Sequence, residues 1–103
     1  MRVDIEVALG AWINRYVSSD NLPLGTAAVE GQSHVFLSQI EEGTTPEFIV
    51  QQLNIPLQEL GVMLFGNQRV YLDTQLMPLA SKAFTQNDGR VPRLWLYPQI
   101  IGG

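Results

Sequence analysis

Residues 3 to 9, VDIEVAL, place Val3, Ile5, Val7 and Leu9 on one side of the chain and Asp4, Glu6 and Ala8 on the other. Successive side chains of a strand point to opposite faces, so period two sustained over seven residues specifies a half-buried strand and excludes an amphipathic helix. A strand of this kind needs a sheet to lie in and a second layer to cover its apolar face. The segment EEGTTPEFIVQQLNIP supplies a cover. Thr45 can cap a helix whose first residue is Pro46 and whose first turn holds Glu47 at the positive end of the dipole. Ile49 and Leu53, with Val50 beside them, form the apolar stripe, and Asn54 with the Ile55-Pro56 pair stops the helix early.

The remaining segments extend this sheet. GAWINRYV continues the first strand or bends out of it, and residues 18 to 33, rich in Gly, Ser, Asn and Pro, read as a turn or long excursion. HVFLSQI, 34 to 40, is a second strand expected to pair antiparallel with the first. GVMLFGNQRVYLD reads as two short strands around the Gly66-Asn67 turn. Residues 74 to 92 read as a connection, with turn chemistry at Asn87-Asp88-Gly89 and one helical turn near Leu79 to Phe84. RLWLY, 93 to 97, is a final strand closed by Pro98, which has no amide proton to give a ladder. Strands with a helix on one face make an α+β two-layer domain.

Composition removes several classes of function. The 103 residues are 46% hydrophobic, enough for one domain spanning 1–103 and too few for two. No apolar run approaches the ~18 residues of a membrane span. The start MRVDIEV lacks the pattern of a secretion signal, so a cytoplasmic location is expected. A net charge of −4, with six basic residues scattered singly, argues against nucleic acid as a partner. The absence of cysteine excludes disulfides, thiolate metal sites and cysteine catalysis. His34, the single histidine, has no nucleophile at a recognisable spacing. Asp73 reads as a hairpin-exit residue, and Glu41-Glu42 as a solvated strand end. No phosphate loop, metal spacing or nucleophile–base pair is present, so an enzyme acting alone is not expected.

The order of elements, together with the ending YPQIIGG, resembles the MoaD/ThiS-like ubiquitin-like sulfur-carrier family, in particular its molybdopterin synthase small-subunit branch. EEGTTPEFIVQQLNIP is similar to that family's acidic-Gly-Thr-helix segment, FGNQRVYLD to its Asn-Gly hairpin, and NDGRVPRLWLYP to its Asp-Gly strand leading to Pro. The chain departs from the family pattern in its long 18 to 33 and 76 to 92 connections, in Gln99 where a second Pro is usual, and in Arg90 where an acid is usual. The resemblance implies a ubiquitin-like β-grasp fold, a mixed sheet of four to five strands with one main helix on one face, and a flexible tail over 98 to 103. It implies that the carboxylate of Gly103, next to Gly102, is adenylated and converted to a thiocarboxylate that donates sulfur, with molybdopterin biosynthesis as the first expectation. The partners implied are an ATP-dependent activating enzyme and a larger synthase subunit or other acceptor. It also implies that the chain is no enzyme but a carrier or small non-catalytic subunit of a synthase complex, with no bound cofactor of its own, the ATP being used by the activating enzyme.

Residue chemistry fits that expectation. Glycines at the last two positions allow the backbone to enter a narrow channel, while Ile100 and Ile101 offer apolar surface to its wall. If Leu94 and Leu96 point inward, then Trp95 and Tyr97 point outward, as do Arg69 and Tyr71 on the hairpin and Ala8 and Gly10 on the first strand. Aromatics and Arg beside Pro98 and the tail are the residue types of interface hot spots. The plainer expectation is that Leu76, Met77, Leu79 and Phe84 of the 76 to 92 connection cover these aromatics as a second small core. Other functions carry the same features: a carrier for thiamine or tRNA thiolation, a ubiquitin-like modifier, or a non-covalent β-grasp binding module that works through its sheet alone. Lys82 is the only lysine, which disfavours chain-forming conjugation.

Overall fold

The computed structural model describes residues 2–17, 22, 25–29, 31–86 and 91–99. In chain order the elements are β1 (Arg2–Leu9), a 3-10 helix (Ala11–Tyr16), β2 (Thr26–Val29), β3 (Gln32–Glu41), α1 (Pro46–Gln52), a 3-10 turn (Leu57–Glu59), β4 (Leu60–Phe65), β5 (Gln68–Val70), α2 (Leu76–Gln86) and β6 (Arg93–Pro98). The alternation in VDIEVAL has the expected result: Ile5, Val7 and Leu9 are buried, whereas Asp4 is exposed on the other face. β1 pairs antiparallel with β3, Val7 lying opposite Phe36. On its other side β1 runs parallel to β6, with Val7 opposite Leu94 and Leu9 opposite Leu96. The strands form one mixed sheet in the order β2-β3-β1-β6-β4-β5. The first and last strands of the chain therefore share its centre.

α1 forms where its signals place it. Thr45 keeps an extended backbone, and its hydroxyl accepts the Phe48 amide proton at 3.4 Å. That occupies one of the donors a helix start leaves open, and Pro46 at the first position has no donor to satisfy. Ile49, Val50 and Leu53 join the inward residues of the strands in a single buried cluster. Asn54 then adopts a left-handed backbone, φ 59°, which ends the helix.

Two expectations are corrected. The sheet has six strands, not four to five, because Thr26–Val29 pairs with β3 inside the segment read as an excursion. TAAV carries no alternation, and an edge strand exposed on both faces needs none; its backbone is satisfied by the free edge of β3. There are also two helices, not one main helix. α2 occupies Leu76–Gln86, where a connection with a single helical turn was expected. Leu76 and Ala80 are fully buried, and Leu79 packs against the same cluster, at the i, i+3, i+4 spacing of a helix face. Pro78 discourages a helix on paper, but within the first turn it removes no internal hydrogen bond. The Leu76 amide instead anchors the helix start by donating to the Thr44 carbonyl at 3.0 Å.

GAWINRYV resolves as the bend. Its 3-10 helix drops Ile13, wholly buried, into the end of the core. No helix among the described residues is long and apolar enough to cross a membrane.

Candidate functional site

Strand directions decide what meets at each end of the sheet. β1 and β6 are parallel and finish together, and β4, antiparallel to β6, starts where β6 finishes. One end thus collects the 3-10 helix that follows β1, the departure of the chain from β6, and the Leu57–Glu59 turn that precedes β4. Backbone bonds lock them: the Gly10 amide donates to the Leu96 carbonyl at 2.8 Å, and the Gln99 amide donates to the Glu59 carbonyl at 2.8 Å. Pro98, expected to open the tail, is the last residue of β6, buried and opposite Leu60.

The ladder between β4 and β6 has an irregularity between Leu60 and Met63. Three residues on β4 there span what two span on β6, which is the arrangement of a bulge. Gly61 sits in it. A Cβ at Gly61 would lie 2.8 Å from the Pro98 carbonyl oxygen and 3.1 Å from the Gln99 Cα, so only glycine lets the departing backbone pass this closely. An open groove of about 440 Å3 remains beside it, lined by Leu60, Gly61, Val62, Arg69, Pro98 and Gln99. Gly61→Ala is expected to push the exit off the Leu60–Pro98 ladder at a cost of about 1–3 kcal/mol, the usual range for forcing an extra carbon into filled space. Chemical denaturation measures the loss, and hydrogen exchange at the Gln99 amide should speed up in step with it.

The outward face carries the residues that alternation selects. Val35, Ala8, Trp95, Leu64 and Arg69 lie in one row across β3, β1, β6, β4 and β5. Along β6 the Arg93 guanidinium carbon lies 5.2 Å from the Trp95 ring centroid, and Trp95 stacks on Tyr97 with centroids 5.8 Å apart and planes 11° from parallel. The Arg93 Nε donates to Glu6 Oε1 at 3.1 Å, which holds the cation end of this column. At the hairpin, Arg69 lies 5.3 Å from the centroid of the well-exposed Tyr71 ring. Ala8 and Gly10 are on this face, as alternation requires, but they are not open ground. Ala8 is 1% exposed, and a Cβ on Gly10 would strike the Tyr97 ring at 2.8 Å. The Tyr97 ring lies against Gly10, just past the end of β1. Leu76, Leu79 and Ala80 of α2 pack in the core on the opposite face and not over these aromatics.

The remaining sequence candidates separate. Gly102, Gly103, Ile100 and Ile101 lie outside the described residues. The Asn14 amide nitrogen approaches His34 Nδ1 to 2.7 Å. Asp73 is exposed in a local turn, where the Tyr71 amide donates to the Thr74 hydroxyl at 2.9 Å. Among the described residues no group of three His, Cys, Asp or Glu is placed to hold a metal ion. What the site offers is recognition chemistry: flat aromatic surface, guanidinium groups and a backbone end held in place.

Sequence reasoning missed three members of this end. Trp12, Leu57 and Val62 are exposed at 44%, 41% and 41%, and they sit on the 3-10 helix, the turn and the bulge that surround the departing chain. Arg15 follows on the same 3-10 helix as Trp12. Its guanidinium donates to the Tyr16 hydroxyl at 3.0 Å, and its pKa is raised, first by that bond and to a lesser degree by the charge of Glu59. A 3-10 segment has no face pattern from which such exposure is readable; the one available signal was Trp12 standing in a stretch that does not continue the strand.

Fold and site together define an α+β domain with a six-stranded mixed open sheet and two helices on one face. Comparison with known proteins matches the chain to no family model, no curated protein and no solved structure.

Proposed function

We propose that the protein is a cytoplasmic sulfur carrier of ubiquitin-like β-grasp type. In this reading the Gly103 carboxylate attacks ATP in a partner enzyme, giving an acyl-adenylate and releasing pyrophosphate. A sulfur donor then displaces AMP to leave a thiocarboxylate, and the sulfur passes to an acceptor, foremost the pterin precursor of a molybdenum or tungsten cofactor. The chain contributes no reacting side chain. A carboxylate is a poor electrophile until it is made an anhydride, and that chemistry belongs to the partner's site.

The observation that carries the reading is the position of β6. It runs through the sheet centre beside β1 and hands the chain over at Pro98–Gln99, fixed to Glu59 at 2.8 Å, next to the Arg93–Trp95–Tyr97 column. A carrier needs a rigid launch point for its reactive end and a recognition surface beside it. Central parallel strands with a helix between them are also what the β-grasp reading requires, with β2 as an added edge strand.

Intact-mass measurement of the protein purified from its own cells tests the reading. A carrier is expected to show a fraction with one terminal oxygen replaced by sulfur, lost on deletion of Gly102 and Gly103. Adducts on the lysines of other proteins would instead identify a modifier. A second reading, a non-covalent binding module, draws on the half-exposed Trp95 and Tyr97. It requires activity to survive the same deletion.

A further inference from the structure

The open cavities of the molecule differ in charge. One beside β3 is lined by both Arg2 and Glu41, which pair at 3.6 Å, and one beside α2 holds Glu42. Another, of about 580 Å3, opens where β6 begins, at the other end of that strand from Pro98. Its described walls carry Lys82 and Arg93 and no carboxylate, although the chain has ten acidic residues against six basic ones. Three elements bring those walls together. The Gly66 amide donates to the Arg93 carbonyl at 3.0 Å, which ties the hairpin turn to β6 and puts Asn67 and Gln68 in the lining. α2 adds Leu79, Lys82 and Ala83, at the i, i+3, i+4 spacing of one helix face. Leu79 packs against the core, and Lys82, a turn further along the same face, stands exposed. Phe65 and Pro92, both buried, make the floor apolar. Among the described residues neither Lys82 nor the side-chain amides of Asn67 and Gln68 has a hydrogen-bond or ion-pair partner. Arg93 gives its Nε proton to Glu6 at 3.1 Å, which offsets part of its charge and leaves its other N–H groups to donate. Single polar groups on a surface bond to water; here four of them converge, with one sign of charge, on one apolar-floored cavity.

We propose that this cavity binds a small organic oxyanion, a phosphate or carboxylate group carried on an apolar body. Lys82 is the principal donor to the oxyanion, Arg93 adds positive potential, and the Asn67 and Gln68 amides serve the remaining oxygens. The apolar body lies on Phe65, Leu79 and Pro92. Hydrogen bonds to an ionised acceptor are roughly twice as strong as neutral ones, and an apolar floor strengthens them further by lowering the local dielectric. The volume falls within the roughly 300–1,000 Å3 of small-molecule sites. Because it lies at the opposite end of β6 from the chain exit, the site stands whether or not the chain is a carrier.

Titration of the isotope-labelled full chain with phenyl phosphate, benzoate and inorganic phosphate, followed by amide NMR, tests this. Saturable shifts are expected around Gly66–Gln68, Lys82–Ala83 and Val91–Arg93, with a Kd of about 1 mM or below for at least one organic probe. The tighter of the two identifies the head group. Inorganic phosphate, which forgoes the apolar floor, should bind about tenfold more weakly than phenyl phosphate. Lys82→Met keeps the length of the side chain without its charge and should weaken binding about tenfold or more, whereas Lys82→Arg should retain it. Arg15→Met makes the same change of net charge at the opposite end of the sheet and should bind as the parent does. Absence of saturable shifts up to about 10 mM of every probe overturns the site, as do equal losses in Lys82→Met and Arg15→Met. Inorganic phosphate binding as tightly as the organic probes overturns the role of the apolar floor. The spectrum of each variant before titration shows whether its fold is retained.

Discussion

Leu94→Ala is expected to lower the stability of the folded chain by about 3 kcal/mol, within the range found when a buried leucine is truncated. Leu94 is 0% exposed on a central strand, opposite Val7 on one side and Phe65 on the other. Both neighbours are fixed by ladders, so the space left by three carbon atoms cannot close by a local shift, and the loss of transfer energy is joined by a cavity cost. Domains of this size have only about 5–15 kcal/mol of net stability. A loss of this size lowers Tm by on the order of 15 °C. Thermal and urea unfolding read it directly. Val91→Ala, two residues before β6 and 41% exposed, should stay within about 0.5 kcal/mol of the parent chain. Equal losses for the two would show that β6 is not at the centre of the core.

How much of this was legible depended on whether burial on one face dictated the residues. Where it did, as in VDIEVAL and RLWLY, alternation gave both the strands and the face on which each residue lies, including Trp95 and Tyr97. Where it did not, the sequence was silent. β2 lies at an edge with Ala27 and Ala28 exposed, and nothing in TAAV is forced by packing. α2 hid behind Pro78, whose usual meaning fails in a first turn. The rim of the site was the least readable part, because it is made by three segments distant in sequence. Gly61 is required by the carbonyl of Pro98, and Trp12 adjoins the exit because β1 and β6 happen to be parallel. Such relations exist only once the topology is known.

If the chain is a carrier as proposed, Gly102→Leu is expected to abolish its activation while leaving the fold untouched. In the proposed carrier reading the acceptor of the adenylyl group is the Gly103 carboxylate, and the residue before it must pass through whatever channel leads to the partner's ATP. A leucine there both widens the chain and narrows its backbone freedom. A displacement of about 1 Å of a reacting group costs on the order of 100-fold in rate, so pyrophosphate exchange should fall by at least that factor. Unfolding should match the parent within about 0.5 kcal/mol. The two substitutions are complementary: Leu94→Ala tests the sheet that holds the exit, and Gly102→Leu tests what the exit delivers. If Gly102→Leu is activated at the parental rate, a side chain is tolerated before the reacting carboxylate and the paired glycines are not what the partner selects; if neither chain is activated, the outer face of the sheet becomes the working surface by itself.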